Sequence, residues 1–245
     1  MHALLFYPLA FLGIYISTTL VFLLLHLALP SVQILGFIFR CLSAYLTLLI
    51  CATYGTIASL ILRVLNLHYK YAQYTTARAF KWTSRYTIGV NFSIAPGGEK
   101  LLWAKRPYVI VANHQTELDI LFLGWIWPTY CSVTAKRSLA YVPLLGWFMT
   151  LSGAIFIDRV DRNQALKAFE SASRVMREVG QSVLIFPEGT RSYSDKPALL
   201  PFKKGAFHLA VQSGADILPV VAENYSRVLN VKAKRFNPGT IRIKG

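Results

Sequence analysis

Acidic residues are scarce in this sequence. The 245 residues hold 11 Asp and Glu against 26 Lys and Arg, a formal net charge of +15. Such a chain is drawn to anions: nucleic acid, phospholipid headgroups or phosphorylated substrates. RNP-like motifs, zinc-finger spacing and a low-complexity basic tail are all lacking, which argues against nucleic acid. Cysteine is rare too. Cys41, Cys51 and Cys131 lie in apolar runs, are odd in number and match no metal spacing. They read as small buried hydrophobes, not as disulfides or ligands. Several catalytic signatures are missing: no G-x-S-x-G elbow, no Cys beside a His, no P-loop, no G-x-G-x-x-G and no H-E-x-x-H. A serine or cysteine acyl-enzyme therefore has no evident nucleophile.

Charge of either sign is nearly absent from residues 1–62, where Arg40 stands alone. Residues 3–29 are apolar apart from a few hydroxyls and His26, longer than the roughly 20 residues a helix needs to cross a bilayer. A basic leader and an A-x-A cleavage site are missing, so a signal peptide is excluded. Pro30 breaks the run, and residues 41–62 form a second one. Together they read as a transmembrane helical hairpin, with a hairpin that dips into one leaflet as the alternative. Arg63, Lys70, Arg78, Lys81 and Arg85 gather after it, which places the following domain on the cytoplasmic side. Residues 63–87 mix these cations with Tyr69, Tyr71, Tyr74, Phe80, Trp82 and Tyr86. They suit a helix at headgroup level; an ordinary amphipathic core helix is the alternative. The expected organisation is a membrane hairpin over 1–66, an interfacial segment over 67–89 and a catalytic domain over 90–245.

From Val90 the pattern changes. VNFSI (90–94), YVIVA (108–112), CSVTA (131–135), AIFI (154–157), SVLIF (182–186) and DILPVV (216–221) read as strands. Helical spacing marks the stretch from Glu117 through LDILFLGW, residues 163–179 with Gly180 as a stop, and residues 203–214. Strands alternating with helices indicate an α/β class: a mixed, largely parallel sheet flanked by helices.

Three motifs follow predicted strands, at the carboxyl ends where α/β sheets place ligands. The first is Asn113-His114-Gln115-Thr116-Glu117-Leu118-Asp119. An imidazole acting as base needs a partner to fix its tautomer and stabilise its protonated form. Asp119 fits that role if His114 precedes the helix and Asp119 lies one turn inside it. The second is Phe186-Pro187-Glu188-Gly189-Thr190-Arg191-Ser192, where Pro and Gly impose a turn. Arg191 suits bidentate phosphate binding. A surface turn with an Arg–Glu pair is the bland alternative. The third is Gly153 to Arg159, where Arg159 adds a second phosphate contact and Asp158 holds it, or the two form a structural ion pair. Lys136, Arg137, Lys203 and Lys204 are further cations near strand ends or helix starts. Asn113 and Lys136 complete the expected substrate-binding set.

The order NHQTELD, GAIFIDR, FPEGTRS resembles the glycerolipid acyltransferase family, and in particular its 1-acylglycerol-3-phosphate acyltransferases. The wording NHQTELDILFLGW, AKRSLAYVPLLGWFM and LLPFKKGAFHLAVQSGADILPVV is similar to the fungal members, over roughly residues 90–230. The resemblance implies that His114 is the general base and Asp119 its partner. It implies that Glu188, Gly189, Thr190 and Arg191 bind the glycerol-phosphate acceptor with help from Arg159. A CoA thioester would be the donor, with no metal or bound cofactor. The expected reaction acylates the sn-2 hydroxyl of lysophosphatidic acid by direct attack, giving phosphatidic acid. The expected setting is an integral membrane location, at the endoplasmic reticulum or a lipid droplet. Another lysophospholipid or glycerol-3-phosphate as acceptor, and a non-catalytic anionic-lipid-binding protein, are the rival readings. Two departures stand out. Ile217 to Val221 keeps one proline of the family's V-P-x-x-P block. The chain also ends in a strand-like run, TIRIKG, where relatives usually continue, which predicts an exposed sheet edge.

Overall fold

The computed structural model describes residues 2–103 and 107–245. Two long helices open the chain, α1 (His2–Ala28) and α2 (Gln33–Val64). Phe6–Ala28 and Gln33–Val64 are each long and apolar enough to cross a membrane. They form the expected hairpin, reversing at Pro30. The Tyr15 hydroxyl donates to the Leu42 carbonyl at 2.9 Å, and Arg40 lies 3.5 Å from the His26 ring.

After α3 (His68–Thr87) the chain alternates strand and helix: β1 (Val90–Ile94), α4 (Gly98–Trp103), β2 (Tyr108–Ala112), α5 (Asp119–Ile126) and β3 (Cys131–Lys136). A 3-10 helix (Arg137–Tyr141) and α6 (Leu145–Leu151) lead to β4 (Ile155–Ile157), α7 (Arg162–Val179), β5 (Ser182–Ile185), α8 (Gly205–Ser213) and β6 (Asp216–Ala222). A small antiparallel pair, β7 (Leu229–Asn230) with β8 (Arg235–Phe236), precedes β9 (Gly239–Lys244). Seven strands make one sheet in the order β1-β9-β6-β2-β5-β3-β4. Every pairing is parallel except β6 with β9. The class is therefore α/β with a mostly parallel sheet, as the alternating pattern indicates.

The terminal run TIRIKG is an inner strand of the sheet. It is β9, parallel to β1 on one side and antiparallel to β6 on the other. Its alternation of buried Ile241 and Ile243 with exposed Thr240, Arg242 and Lys244 fits a strand covered on one face.

Both faces of the central strands are covered. Phe80, Leu121, Phe122 and Trp125 from α3 and α5 pack on one side with Ile110, Leu184 and Leu218. Ala172 and Met176 of α7 and Ala206, Leu209 and Ala210 of α8 cover Val109, Val183 and Ile185 on the other. This explains why β5 is a continuous apolar run that shows no alternation.

The hairpin is tied to this domain along the length of α2. Gly36, Ser43, Thr47, Cys51, Ala52, Gly55 and Ser59 are buried in α2 at helical spacing. Small residues let neighbours come close: a Cβ at Gly55 would sit 2.6 Å from Phe148 of α6 and 2.8 Å from Thr76 of α3. At one end of α2, the Gln33 amide donates to the carbonyls of Ala233 (3.1 Å) and Lys234 (3.3 Å). At the other, Arg63 donates to the Leu151 carbonyl at 3.1 Å. α3 is packed between α2 and the sheet, burying Ala72, Gln73, Thr76, Ala77, Phe80 and Ser84, while Trp82 and Tyr86 stay exposed.

Candidate active site

β2 and β5 are parallel neighbours in a register that pairs Val111 with Ile185. The first and second motifs therefore leave the sheet at the same level. Four contacts join them. Ser192 N–H donates to the His114 carbonyl (2.9 Å) and Tyr193 N–H to that of Gln115 (3.1 Å). The His114 N–H donates to Glu188 Oε1 at 2.7 Å, and Arg191 pairs with Glu117 at 2.8 Å.

His114 precedes α5, and Asp119 is the first residue of that helix, not one turn inside it. This start is set locally. The Asp119 carboxylate accepts from the N–H groups of Gln115 (2.6 Å) and Thr116 (3.2 Å), turning the chain back so that His114 Nδ1 lies 2.7 Å from Asp119 Oδ2. The other oxygen, Oδ1, accepts from the Tyr225 hydroxyl at 2.5 Å. Tyr225 and Asp119 are each 1% exposed. Burial first, then the adjacent carboxylate, pushes Tyr225 well above its ordinary pKa. Its phenol thus remains a donor. The imidazole is stacked on Phe186, with ring centroids 4.1 Å apart and planes 17° from parallel. With Nδ1–H donated to Asp119, Nε2 carries the lone pair. The His114 side chain keeps 17% of its surface exposed.

The second motif is a turn, with Gly189 N–H donating to the Phe186 carbonyl at 3.0 Å. Gly189 sits at φ +68°, and a Cβ there would meet the Lys203 side chain at 2.9 Å. Only glycine meets both demands at no cost. Arg191 is half-exposed and donates through Nη1 to Glu117 and to the Tyr193 hydroxyl (3.3 Å), which in turn donates to Glu117 at 2.5 Å. Burial works against the Arg191 charge, but Tyr193 and Glu117 outweigh it, and its pKa is raised.

A model of the family described as "Acyltransferase" matches residues 94–223. The chain belongs to the acyltransferase family. A 1-acyl-sn-glycerol-3-phosphate acyltransferase of Saccharomyces cerevisiae is 43% identical over 194 residues, 79% of this chain and 63% of that protein's own length. An uncharacterised acyltransferase of Schizosaccharomyces pombe is 44% identical over 84% of this chain and 73% of its own. The human beta form of 1-acyl-sn-glycerol-3-phosphate acyltransferase is 35% identical over 80% and 69%. The fold is shared with a crystal structure of the lysophosphatidic acid acyltransferase PlsC from Thermotoga maritima. Its TM-score is 0.65 at 21% identity, over 85% of this chain and 83% of that one.

Several residues expected to contact substrate bond the protein itself. Both amide atoms of Asn113 bond the backbone of Ala222 at 2.9 Å, fixing the motif to β6. Both Glu188 oxygens accept backbone N–H groups, from His114 and from Leu200 (2.9 Å), and the residue is 3% exposed. These two bond the protein's own backbone and hold the loops. Asp158 does not hold Arg159: its Oδ1 accepts from Val160 and Asp161 N–H, a turn that lowers its pKa. Thr190, Lys136 and Arg159 are exposed. Lys136 ends β3, and Arg159 follows β4, two strands beyond β5. That separation is ~10 Å. Tyr225 and the Glu117–Arg191 link were not anticipated. Tyr225 lies 106 residues from Asp119, and only the pairing of β6 with β2 brings it there.

Proposed function

We propose that this acyltransferase moves a fatty acyl chain from acyl-CoA to the sn-2 hydroxyl of lysophosphatidic acid. The 2.7 Å contact between His114 Nδ1 and buried Asp119 carries the reading. It leaves Nε2 as a lone-pair acceptor for the proton of a substrate hydroxyl, a base worth ~10²–10⁴-fold in rate. The hydroxyl oxygen attacks the thioester carbonyl, and collapse of the tetrahedral intermediate releases CoA as its thiol, with the proton returned from His114. Asp119 stabilises the imidazolium in between. Arg191 holds the acceptor's phosphate, with Lys136 and Arg159 as outlying cations on the same edge of the sheet. No metal or bound cofactor takes part in this scheme. The names of the yeast and human relatives support lysophosphatidic acid as acceptor.

The hairpin lies in one leaflet on this reading, on the face of the membrane that carries the catalytic domain. A 32-residue helix is ~48 Å long, more than enough to cross a ~30 Å core. Yet Gln33 and Arg63, at its two ends, both bond the same domain. A crossing helix would carry one end away from it. A cysteine at Ser31 should react with an impermeant reagent from the catalytic side of sealed vesicles; labelling from the opposite side alone would restore the spanning hairpin.

The deciding assay gives purified protein in detergent labelled oleoyl-CoA and a panel of acceptors. Label in phosphatidic acid from lysophosphatidic acid supports the reading. Label only in another phospholipid would keep the chemistry and replace the acceptor. Release of free fatty acid without any acceptor would replace transfer by hydrolysis.

A further inference from the structure

Away from the catalytic edge, α3, β1, α4 and α5 enclose an open recess of about 500 Å³. Tyr74, Trp82, Trp103 and Trp125 wall it, and Arg78 and Lys81 reach into it. The two cations lie over rings: Arg78 is 4.9 Å from the Tyr74 centroid, and Lys81 is 5.4 Å from that of Trp125 and 5.8 Å from that of Trp82. Arg78 spends Nη1 and Nη2 on the carbonyls of Gly124 (2.7 Å) and Trp127 (3.3 Å), which orient its charge without neutralising it. Among the described residues neither cation has a salt bridge; Glu99 is the one acid in the lining. Burial, together with Arg78 and Arg85 and against Glu99, lowers the Lys81 pKa, a cost that a bound anion would relieve.

The position of the recess says where the anion comes from. β1 runs opposite to β2, so its Ser93–Ile94 end lies at the sheet edge away from His114. Thr83 and Thr87, beside Trp82 on α3, bond Cys51 and Thr47 of α2. α3 therefore stands between the recess and the apolar hairpin, and its exposed Trp82 and Tyr86 set the rim at a level where aromatic rings and cations meet headgroups.

We infer that this recess is a second lipid site, in which Arg78 and Lys81 bind the phosphate of an anionic membrane phospholipid that is not the acyl acceptor. The inference rests on the membrane placement proposed above. The test titrates the full chain in detergent micelles with dibrominated phosphatidylserine or dibrominated phosphatidylcholine, reading quenching of tryptophan fluorescence. Phosphatidylserine should quench saturably and beyond phosphatidylcholine. Lys81→Gln should weaken that excess about fivefold, the loss of one basic group at an anionic surface. Lys167→Gln, on α7 across the sheet, should leave it unchanged. Lys81→Gln is preferred to an Arg78 variant because Arg78 also caps α5. Equal quenching by the two lipids, or an unaltered Lys81→Gln, would overturn the site. Displacement of phosphatidylserine by millimolar inorganic phosphate or by free CoA would overturn the lipid as its ligand. Acyl transfer without phosphatidylserine should be the same in Lys81→Gln and wild type, so loss of this site and loss of the catalytic reading remain distinguishable.

Discussion

Two side-chain pairs, His114–Asp119 and Glu117–Arg191, lie side by side at this sheet edge, and they are built differently. In His114–Asp119 the carboxylate is 1% exposed and accepts from Tyr225 and two backbone N–H groups besides the imidazole. In Glu117–Arg191 the side chains are 45% and 38% exposed, and a single tyrosine hydroxyl is the third member. Removing one partner of a buried pair typically costs ~3–5 kcal/mol, whereas an exposed pair contributes only ~0–1 kcal/mol. The first is therefore fixed and suited to holding one tautomer. The second exchanges easily, so the proposed function lets Arg191 trade Glu117 for a substrate phosphate at little cost. On the proposed function, chemistry and recognition are divided between a rigid pair and a labile one.

The sharpest way to break this division is Asp119→Asn. It keeps the shape but removes the charge that holds the imidazole, and kcat should fall by roughly 10³–10⁴-fold. A fall of less than tenfold would mean that the buried pair is only structural. On the labile side, Arg191→Ala should raise KM for the acceptor by about 10–100-fold, the range of one charge-assisted hydrogen bond, with kcat little changed. Glu117→Gln should instead lower that KM by at most about fivefold, because the guanidinium loses its internal competitor. A raised KM in Glu117→Gln would make Glu117 a support for Arg191. Tyr225→Phe sharpens the comparison from inside the rigid half. It leaves Asp119 Oδ1 without its donor and should destabilise the protein by about 1–3 kcal/mol, read as a lower midpoint of denaturant unfolding. Wild-type stability would show that water replaces the phenol.

Much of this arrangement was legible in the chain. The apolar runs at 108–112 and 182–186 mark strands, because a sheet covered on both faces needs no polar alternation. The Gly180 stop of α7 is visible because only a left-handed residue, φ +68°, ends that helix as observed. His114, Asp119 and Arg191 stand out because they follow closely on strands. What was hidden depends on pairing between distant segments. The place of β9 inside the sheet follows from two partners more than 15 residues away in sequence, β1 and β6. Asn113 and Glu188 looked like ligands because polar side chains in a loop motif do. Their actual partners, the backbone of Ala222 and the N–H groups of His114 and Leu200, exist only once the loops are stacked. Tyr225 carries no local signal at all.

The measurement that bears most directly on this account is the turnover of His114→Ala, purified in the same detergent as wild type and given labelled oleoyl-CoA with lysophosphatidic acid. If Nε2 of His114 takes the acceptor's proton, phosphatidic acid formation should drop by about 10²–10⁴-fold, while the protein still binds membranes and unfolds cooperatively. Turnover within a fewfold of wild type, from a folded variant, would contradict it and leave the 2.7 Å contact with Asp119 without a catalytic purpose.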